Sequence, residues 1–297
     1  MKKRIVYPLM IATIIGSGGF LVSSFKGNSH SDNIKVEAAT YDSTEVVKNT
    51  DFEKLNIQNL MLNSIDNYRS AEGSFTYYSS AGRYHLYIDY KVNLNENPQS
   101  YEKVQSIEFN PQENSFKTAS FESGYEESIY DGDSLINFNN KLVDSQANGT
   151  VQSVKVRPAT KEEREFKKGT TMKERVIPML DGEKSYIRRV DPSLMGIAKT
   201  SLFPEDIAMG FLENTVSWNI TGEGNISGLK TFVIQGTLNK DYTTRYNAQD
   251  FLLEVDQKTG ILLKMEVTDY KGNIKESIIT NEIKLNEELS PSLFKLS

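Results

Sequence analysis

The stretch that decides the fold is FLLEVDQKTGILLKMEVTDYKGN, residues 251–273. Apolar residues occupy every second position from Phe251 to Val255 and again from Leu263 to Val267. This period of two indicates strands with one buried face. Asp256–Gly260 has the composition of a turn, and a second turn leads into a further strand at Ile274–Leu285. Consecutive hairpins of this kind predict an antiparallel sheet.

The same period recurs nearer the N-terminus. One face of a predicted strand carries Tyr84, Leu86, Ile88, Tyr90 and Val92. Ser74–Tyr78 is predicted to pair with this strand across the turn Ser79–Arg83. Further strands are predicted at Tyr101–Phe109, Ser115–Glu122, Gly124–Tyr130, Leu135–Phe138 and Thr231–Leu238, and around Trp218. The chain is therefore expected to contain two antiparallel meanders.

Two helices are predicted between and before the strands. Asp51–Tyr68 carries apolar residues at helical spacing, and Asp51 is expected to cap it. Pro204 is expected to open a second helix, where its missing N–H costs nothing. The acidic Glu205 and Asp206 would then face the positive end of the helix dipole. A sheet with separate covering helices gives an α+β fold class.

Composition excludes several kinds of protein. The chain has 297 residues, of which 38% are hydrophobic and 25% charged. These values are ordinary for a globular protein and exclude wholesale disorder and a polytopic membrane protein. Because it has no cysteine, it has no disulfide, no thiolate metal site, no cysteine nucleophile and no lipid-bearing cysteine. Only two histidines are present, His30 and His85, so no metal site or cofactor is expected.

The N-terminal residues 1–38 are expected to form a signal peptide or a membrane anchor. Lys2, Lys3 and Arg4 precede the uncharged run Ile5–Phe25, which is the secretory pattern and is also long enough to span a bilayer. Whether this run is cleaved or retained is left open. Either alternative places residues 39–297 outside the cytoplasm, secreted or tethered to the outer face of the cytoplasmic membrane.

Charge is distributed unevenly along the chain. Residues 1–38 carry five basic and two acidic side chains, so without them the net charge moves from −6 to about −9. An acidic domain of this kind is a poor nucleic-acid binder. Residues 155–189 differ, with eleven basic and six acidic side chains. This basic segment is predicted to contain a strand end, a short charged helix and a loop. It is expected to be an insertion that forms a solvated face, with a patch for anionic lipid headgroups or an acidic wall polymer as the alternative.

No catalytic constellation is evident. His85 falls on the polar face of a predicted strand, and no glycine-rich phosphate loop connects a strand to a helix. A pair of carboxylates for hydrolysis stays open, because spacing in sequence does not determine spacing in the fold. The protein is therefore expected not to be an enzyme, with no catalytic or metal-binding residues assigned.

Several of these patterns resemble the LolA-like superfamily, which includes outer-membrane lipoprotein carriers and the RseB/MucB regulators. The hairpins of residues 251–273 are similar to the C-terminal signature of that group, and the likeness continues to Pro291–Phe294. Gly73–Phe75, Tyr130–Leu135 and Trp218–Ile234 resemble further family units, so the likeness covers residues 45–297. The charge pattern at the N-terminus and the absence of cysteine suggest a Gram-positive member.

The resemblance implies a strongly curved antiparallel sheet, an unclosed half-barrel covered by helices, with an apolar cavity between them. Family members bind acyl chains or lipidated peptides in that cavity. The residues expected to line it are Tyr77, Leu86, Ile88, Tyr90, Trp218, Phe232, Ile234, Leu263 and Met265. An ordinary packed core is the alternative for each of these nine residues.

The leading hypothesis is a non-enzymatic extracytoplasmic binding protein that holds a lipid, an acyl chain or a lipoprotein moiety by apolar burial. An alternative is an envelope-stress or sigma-factor-type regulator that binds an integral membrane protein. A hydrolase with an acidic cleft ranks third. Membrane association through Ile5–Phe25 is expected if that run is retained.

Overall fold

A computed structural model describes residues 49–110, 115–118, 124–143, 146–180 and 184–295. The strands are β1 Ser70–Ser79, β2 Tyr84–Asn93, β3 Gln99–Asn110, β4 Ser115–Thr118, β5 Tyr125–Tyr130, β6 Ser134–Val143, β7 Gln146–Lys155, β8 Val176–Pro178, β9 Lys184–Tyr186, β10 Trp218–Ile226, β11 Leu229–Thr237, β12 Asp250–Asp256, β13 Leu262–Thr268 and β14 Ile274–Leu285. The helices are α1 Asp51–Leu62, α2 Lys161–Glu165, α3 Met172–Arg175, α4 Lys199–Leu202, α5 Glu205–Phe211 and α6 Lys240–Tyr246. Short 3-10 helices occupy Ser64–Asp66, Thr215–Ser217 and Pro291–Phe294.

One large sheet dominates the described residues. Eleven strands follow the order β10-β11-β12-β13-β14-β1-β2-β3-β5-β6-β7, and β4 pairs with β3 as the twelfth. All of these pairings are antiparallel. Within the described part of the chain the two terminal strands, β10 and β7, do not pair with each other, so the sheet is unclosed. The predicted α+β class with an unclosed antiparallel sheet and covering helices is confirmed.

The hydrophobic core lies between one face of this sheet and the helices. Ile57, Met61 and Leu62 from α1 belong to it, as do Leu202 from α4 and Phe211 from α5. We call the side of the sheet that faces these helices the covered face. Residues of the covered face from β1, β2 and β10–β14 join the same continuous cluster. The helices therefore cover the half of the sheet that the sequence marks as apolar.

Helix α1 differs from its prediction at both ends. Thr50, rather than Asp51, is the N-cap, because Thr50 and Glu53 form a reciprocal capping box. The helix ends at Leu62 instead of Tyr68, since the Asn63 side chain donates to the carbonyl of Asn59 at 2.8 Å and a 3-10 turn follows. Tyr68 is nevertheless buried, as its apolar character predicts, but it lies after the helix rather than in it.

Several other boundaries differ from the sequence prediction. Strand β1 begins at Ser70, four residues before the predicted start. Of strand β7 the sequence indicated only the end near residue 155, and helix α6 was not predicted. Helix α5 begins at Glu205, and Pro204 precedes it instead of opening it. Within the described residues β4 ends at Thr118, whereas the predicted strand continues to Glu122.

The basic segment 155–189 contains α2, α3 and the two-stranded hairpin β8–β9. The sequence had indicated a strand end, one short helix and a loop here. No helix in the described ranges is long and apolar enough to cross a bilayer. The predicted signal or anchor, including Ile5–Phe25, lies outside the residues that the structure describes.

Candidate functional site: the covered face of the sheet

All nine predicted lining residues lie on one face of the sheet. The strand register opposes Tyr77 to Leu86 and to Ile278, and Ile278 is in turn opposed to Met265. The same row continues through Leu253 to Ile234. The other five residues lie an even number of positions along their own strands from a member of this row or from its register partner. They are Ile88, Tyr90, Leu263, Phe232 and Trp218. Because side chains alternate along a strand, all nine point to the covered face.

Burial divides these nine residues into two groups. Six belong to the continuous core and are almost completely buried: Ile88, Tyr90, Trp218, Ile234, Leu263 and Met265. Tyr77, Leu86 and Phe232 are partly exposed and pack against that core from its margins. The predicted grouping on one face is therefore found, and a role in ligand binding remains a prediction.

An aromatic cluster closes one end of the covered face. The ring of Phe211 lies 5.3 Å from that of Tyr242, 6.2 Å from Tyr246 and 5.1 Å from Phe251 between centroids. Tyr242 and Tyr246 come from α6, a seven-residue helix without any buried residue. Helix α6 is thus held on the core by two partly buried tyrosines and lies on its surface.

A carboxylate lies within this aromatic end. Glu276 is 5% exposed and accepts a hydrogen bond of 2.6 Å from the Tyr77 hydroxyl. Burial raises the pKa of Glu276, against the opposing effects of the Tyr77 hydrogen bond and of the nearby Arg245. Burial also raises the pKa of Tyr246 to about 12, with Glu276 as the next cause. This end of the covered face is therefore apolar in its walls but holds one acceptor group.

We expect Glu276→Gln to increase the free energy of unfolding at pH 7. The raised pKa means that the ionised carboxylate is less favourable in the folded state than in the unfolded chain, and glutamine mimics the protonated form. The gain should disappear as the pH falls through the raised pKa toward the ordinary glutamate value of about 4.3. Urea denaturation at several pH values measures this, and a gain that grows on acidification would contradict it.

One register row of the covered face becomes polar beyond β2. Next to Tyr90, the register row continues across β3, β5, β6 and β7 as Glu102, Ser128, Asn137 and Gln152. Glu102 is 6% exposed and accepts hydrogen bonds from the backbone N–H groups of Ile197 at 3.0 Å and Ala198 at 2.6 Å. These bonds attach the segment before α4 to the sheet. Polar side chains therefore continue this row from β3 to β7, whereas Val104 of β3 still packs against the core.

Two surface clefts lie elsewhere. One, of about 540 Å³, is formed by residues 94–96, α2 and the stretch 189–192. The other, of about 600 Å³, crosses the opposite face of the sheet, where Asn219, Gln235, Leu252 and Glu266 form one row. Neither cleft is lined by any of the nine predicted residues.

Groups that serve catalysis or metal binding in other proteins are dispersed here. His85 lies on the face of β2 opposite the covered face, with its ring centroid 5.7 Å from that of Tyr78, and burial lowers its pKa. Within the residues described, no group of three or more histidine or acidic side chains is arranged to hold a metal ion. The buried carboxylates Glu102 and Glu205 instead bind backbone N–H groups and basic side chains.

Comparisons with known proteins bear on the fold. No family model matches the sequence, and no curated protein does. Among solved structures, MucB in the MucA/MucB complex of Pseudomonas aeruginosa is 12% identical with a TM-score of 0.42, over 82% of this chain and 61% of that one. The lipoprotein LppX of Mycobacterium tuberculosis is 13% identical with a TM-score of 0.34, over 81% and 99%. A domain from Vibrio parahaemolyticus described as outer-membrane lipoprotein-sorting is 8% identical with a TM-score of 0.26, over 82% and 96%.

This chain is similar to each of these three structures with a TM-score below 0.5. It spans about three fifths of the length of the MucB chain in that complex. Both branches of the resemblance drawn from the sequence, the lipoprotein-sorting domain and MucB, are represented among these structures.

Proposed function

We propose that this protein is a non-enzymatic extracytoplasmic binding protein that holds a lipid, an acyl chain or the acyl moiety of a lipoprotein against the covered face of the sheet. The observation that supports it best is the continuous apolar strip from Ile234 through Met265 to the partly exposed Tyr77 and Leu86. Residues 1–38 would direct export or serve as the tether. No charged catalyst is required for binding by apolar burial.

The aromatic end is the proposed entrance. Since six of the nine residues are packed against helices, an acyl chain would enter by displacing α6, whose Tyr242 and Tyr246 cover this end. Burial of acyl CH₂ groups contributes about 0.8 kcal/mol each, which can offset the loss of those two aromatic contacts. The Tyr77–Glu276 pair would lie beside the polar end of the bound molecule.

We expect native mass spectrometry of the gently purified protein to show a co-purified acyl ligand, and a fluorescent fatty acyl probe to bind. Leu86→Gln should weaken probe binding about tenfold or more, because a buried leucine contributes about 1.5–3 kcal/mol. Ile279→Gln is the matched control: Ile279 is 41% exposed and lies on the opposite face of β14. A ligand-free protein that ignores the probe, or equal losses in both variants, would contradict the proposal.

A regulator that binds a membrane protein is the second candidate, and the free edge of the sheet favours it. Strand β7 is ten residues long, pairs only with β6 among the described strands, and carries Lys155 as its one charged residue. Such an edge can accept an extended segment of a partner as an added strand. If the protein is such a regulator, its ligand is the membrane protein rather than a lipid.

Crosslinked pull-down from membranes separates the two candidates. A carrier should return several lipoproteins, whereas a regulator should return one integral membrane protein. The MucA/MucB complex is an example of a two-protein assembly among the similar folds. Crosslinks from β7 to one integral protein, together with an absent acyl ligand, would favour the regulator.

A further inference from the structure

The cleft beside α2 combines a charged wall with an apolar wall. Its volume is about 540 Å³, and residues of α2, of the β2–β3 turn and of the stretch 189–192 line it. The apolar side chains of the lining are Ile65, Leu94, Val190 and Pro192. Its cations are Lys161, Arg164, Lys168 and Arg189, and three carboxylates accompany them. The charge that this cleft offers to a ligand depends on which of these groups are already paired.

Two ion pairs occupy part of the charged wall. Arg189 is 6% exposed, and both of its terminal nitrogens donate to the carboxylate of Asp66, with Nη2 at 3.0 Å. The same Nη2 donates to the backbone carbonyl of Arg164 at 3.0 Å, which ties α2 to this pair. Lys168 lies 3.1 Å from Glu165. The four paired side chains neutralise one another, so three charged side chains of the lining remain.

Two of the remaining three are cations without a carboxylate partner. Lys161 and Arg164 lie three positions apart on α2, and neither forms an ion pair within the described residues. Arg164 donates from Nη1 to the backbone carbonyl of Glu96 in a long bond of 3.4 Å. The exposed Glu96 is the third carboxylate of the lining. Four cations and three carboxylates leave the cleft with a net charge of +1, and that excess lies on two adjacent side chains of α2.

We propose that this cleft binds an organic phosphate, with the phosphate group on Arg164 and Lys161 and the carbon chain on the apolar wall. A guanidinium binds phosphate oxygens through two parallel N–H bonds, and an adjacent ammonium adds a point charge. Arg189 also lines the cleft, and its buried Nε has no hydrogen-bond partner in the described part of the chain. An oxygen of the ligand would offer that donor an acceptor.

Both walls of the cleft contribute to this choice of ligand. Two adjacent cations suit a phosphate monoester, which carries a charge of about −1.5 to −2 at pH 7, better than they suit a single carboxylate. Leu94 and Val190, the latter 40% exposed, favour an ester with a carbon chain over inorganic phosphate. This inference does not depend on acyl binding at the covered face, because none of the nine residues predicted there lines the cleft.

Isothermal titration of the full chain with hexyl phosphate, inorganic phosphate and hexanol tests the site. Hexyl phosphate should bind most tightly, because only it uses both walls, and hexanol should not bind. Arg164→Gln should weaken the binding of hexyl phosphate about fivefold or more, and Lys161→Gln about threefold or more. Glu96→Gln should strengthen it, since it removes the opposing carboxylate. Each variant keeps the backbone carbonyl of Arg164 that accepts from Arg189, so α2 stays tied to the cleft.

Lys173→Gln is the matched control. Lys173 is another exposed lysine of residues 155–189 that forms no ion pair within the described ranges, and it does not line the cleft. This variant should bind hexyl phosphate as the natural protein does. No binding of hexyl phosphate, equal binding of hexanol, or equal losses in Lys173→Gln and Lys161→Gln would each overturn the proposal.

A phosphodiester probe distinguishes two sources of the phosphate group. If dihexanoyl phosphatidylglycerol binds at least as tightly as hexyl phosphate, and Arg164→Gln weakens both, the proposal holds with a lipid headgroup as the ligand. If it binds more weakly than hexyl phosphate, the proposal holds with a soluble monoester as the ligand. Binding of both probes that Arg164→Gln leaves unchanged would place the phosphate elsewhere and overturn the proposal.

Discussion

Arg175→Met is expected to lower the free energy of unfolding by about 3–5 kcal/mol, since it leaves a buried carboxylate without its closest basic partner. Both side chains of the Arg175–Glu205 pair are fully buried and separated by 3.0 Å. The guanidinium also donates to the carbonyl of Leu62 at 3.0 Å and to Asn63, so it joins α1 to α3 and α5. Chemical denaturation followed by circular dichroism measures the loss.

The partner substitution supplies the control for this prediction. Glu205→Gln in the Arg175→Met background should recover part of the stability, because a neutral amide costs less to bury than a carboxylate. Burial raises the pKa of Glu205, so the deficit of Arg175→Met should also shrink on acidification as the carboxylate takes up a proton. Lys199, 3.7 Å from Glu205, partly compensates and favours the lower part of the range. A loss below about 1 kcal/mol would contradict the prediction.

This ion pair illustrates what the sequence could not predict. The surplus of basic residues in 155–189 was evident, and a solvated face was its leading interpretation. Arg175 is instead one of the most buried large side chains, because its partner Glu205 lies thirty positions later. Sequence patterns relate residues that lie a few positions apart, so they cannot pair residues at that separation. Arg175 could therefore not be distinguished from the exposed basic side chains of residues 155–189.

The hairpins were predicted with much better success. Strand β14 has the predicted bounds, Ile274–Leu285, and β2 contains every predicted position from Tyr84 to Val92, because alternation and turn composition are local signals. The short elements α6 and β8–β9 were not predicted, because local signals do not determine them. Helix α6 is held by Tyr242 and Tyr246 against Phe211, a contact with a distant part of the chain.

For the candidate site, the role of the nine residues in ligand binding stays a prediction. Alternation placed nine residues on one face, and the register confirms that they share it. Alternation does not determine how far helices fill the space above a face, since that depends on where α1, α4 and α5 pack. Ile88 and Leu86 are adjacent on this face, yet Ile88 is fully buried and Leu86 is partly exposed.

Trp218→Ala should lower the free energy of unfolding by about 3–5 kcal/mol, as expected for an aromatic side chain removed from a packed core. Trp218 is 1% exposed, and its indole N–H donates to the carbonyl of Leu212 at 3.0 Å. The Lys54 ammonium lies 5.2 Å from the ring centroid and donates to the Trp218 carbonyl at 2.5 Å. Circular dichroism must follow the unfolding, because the chain has no other tryptophan.

Trp218→Phe distinguishes lost volume from the lost hydrogen bond. The Leu212 carbonyl also accepts from Gln58, so it stays paired in both variants, and the phenylalanine variant should lose much less stability. If the ring fills a packed core, Trp218→Ala leaves a dry cavity, and added indole should raise its melting temperature while leaving the natural protein unchanged. If the ring lines a space open to ligands, the alanine variant should lose less than about 1 kcal/mol, and indole should bind the natural protein as well.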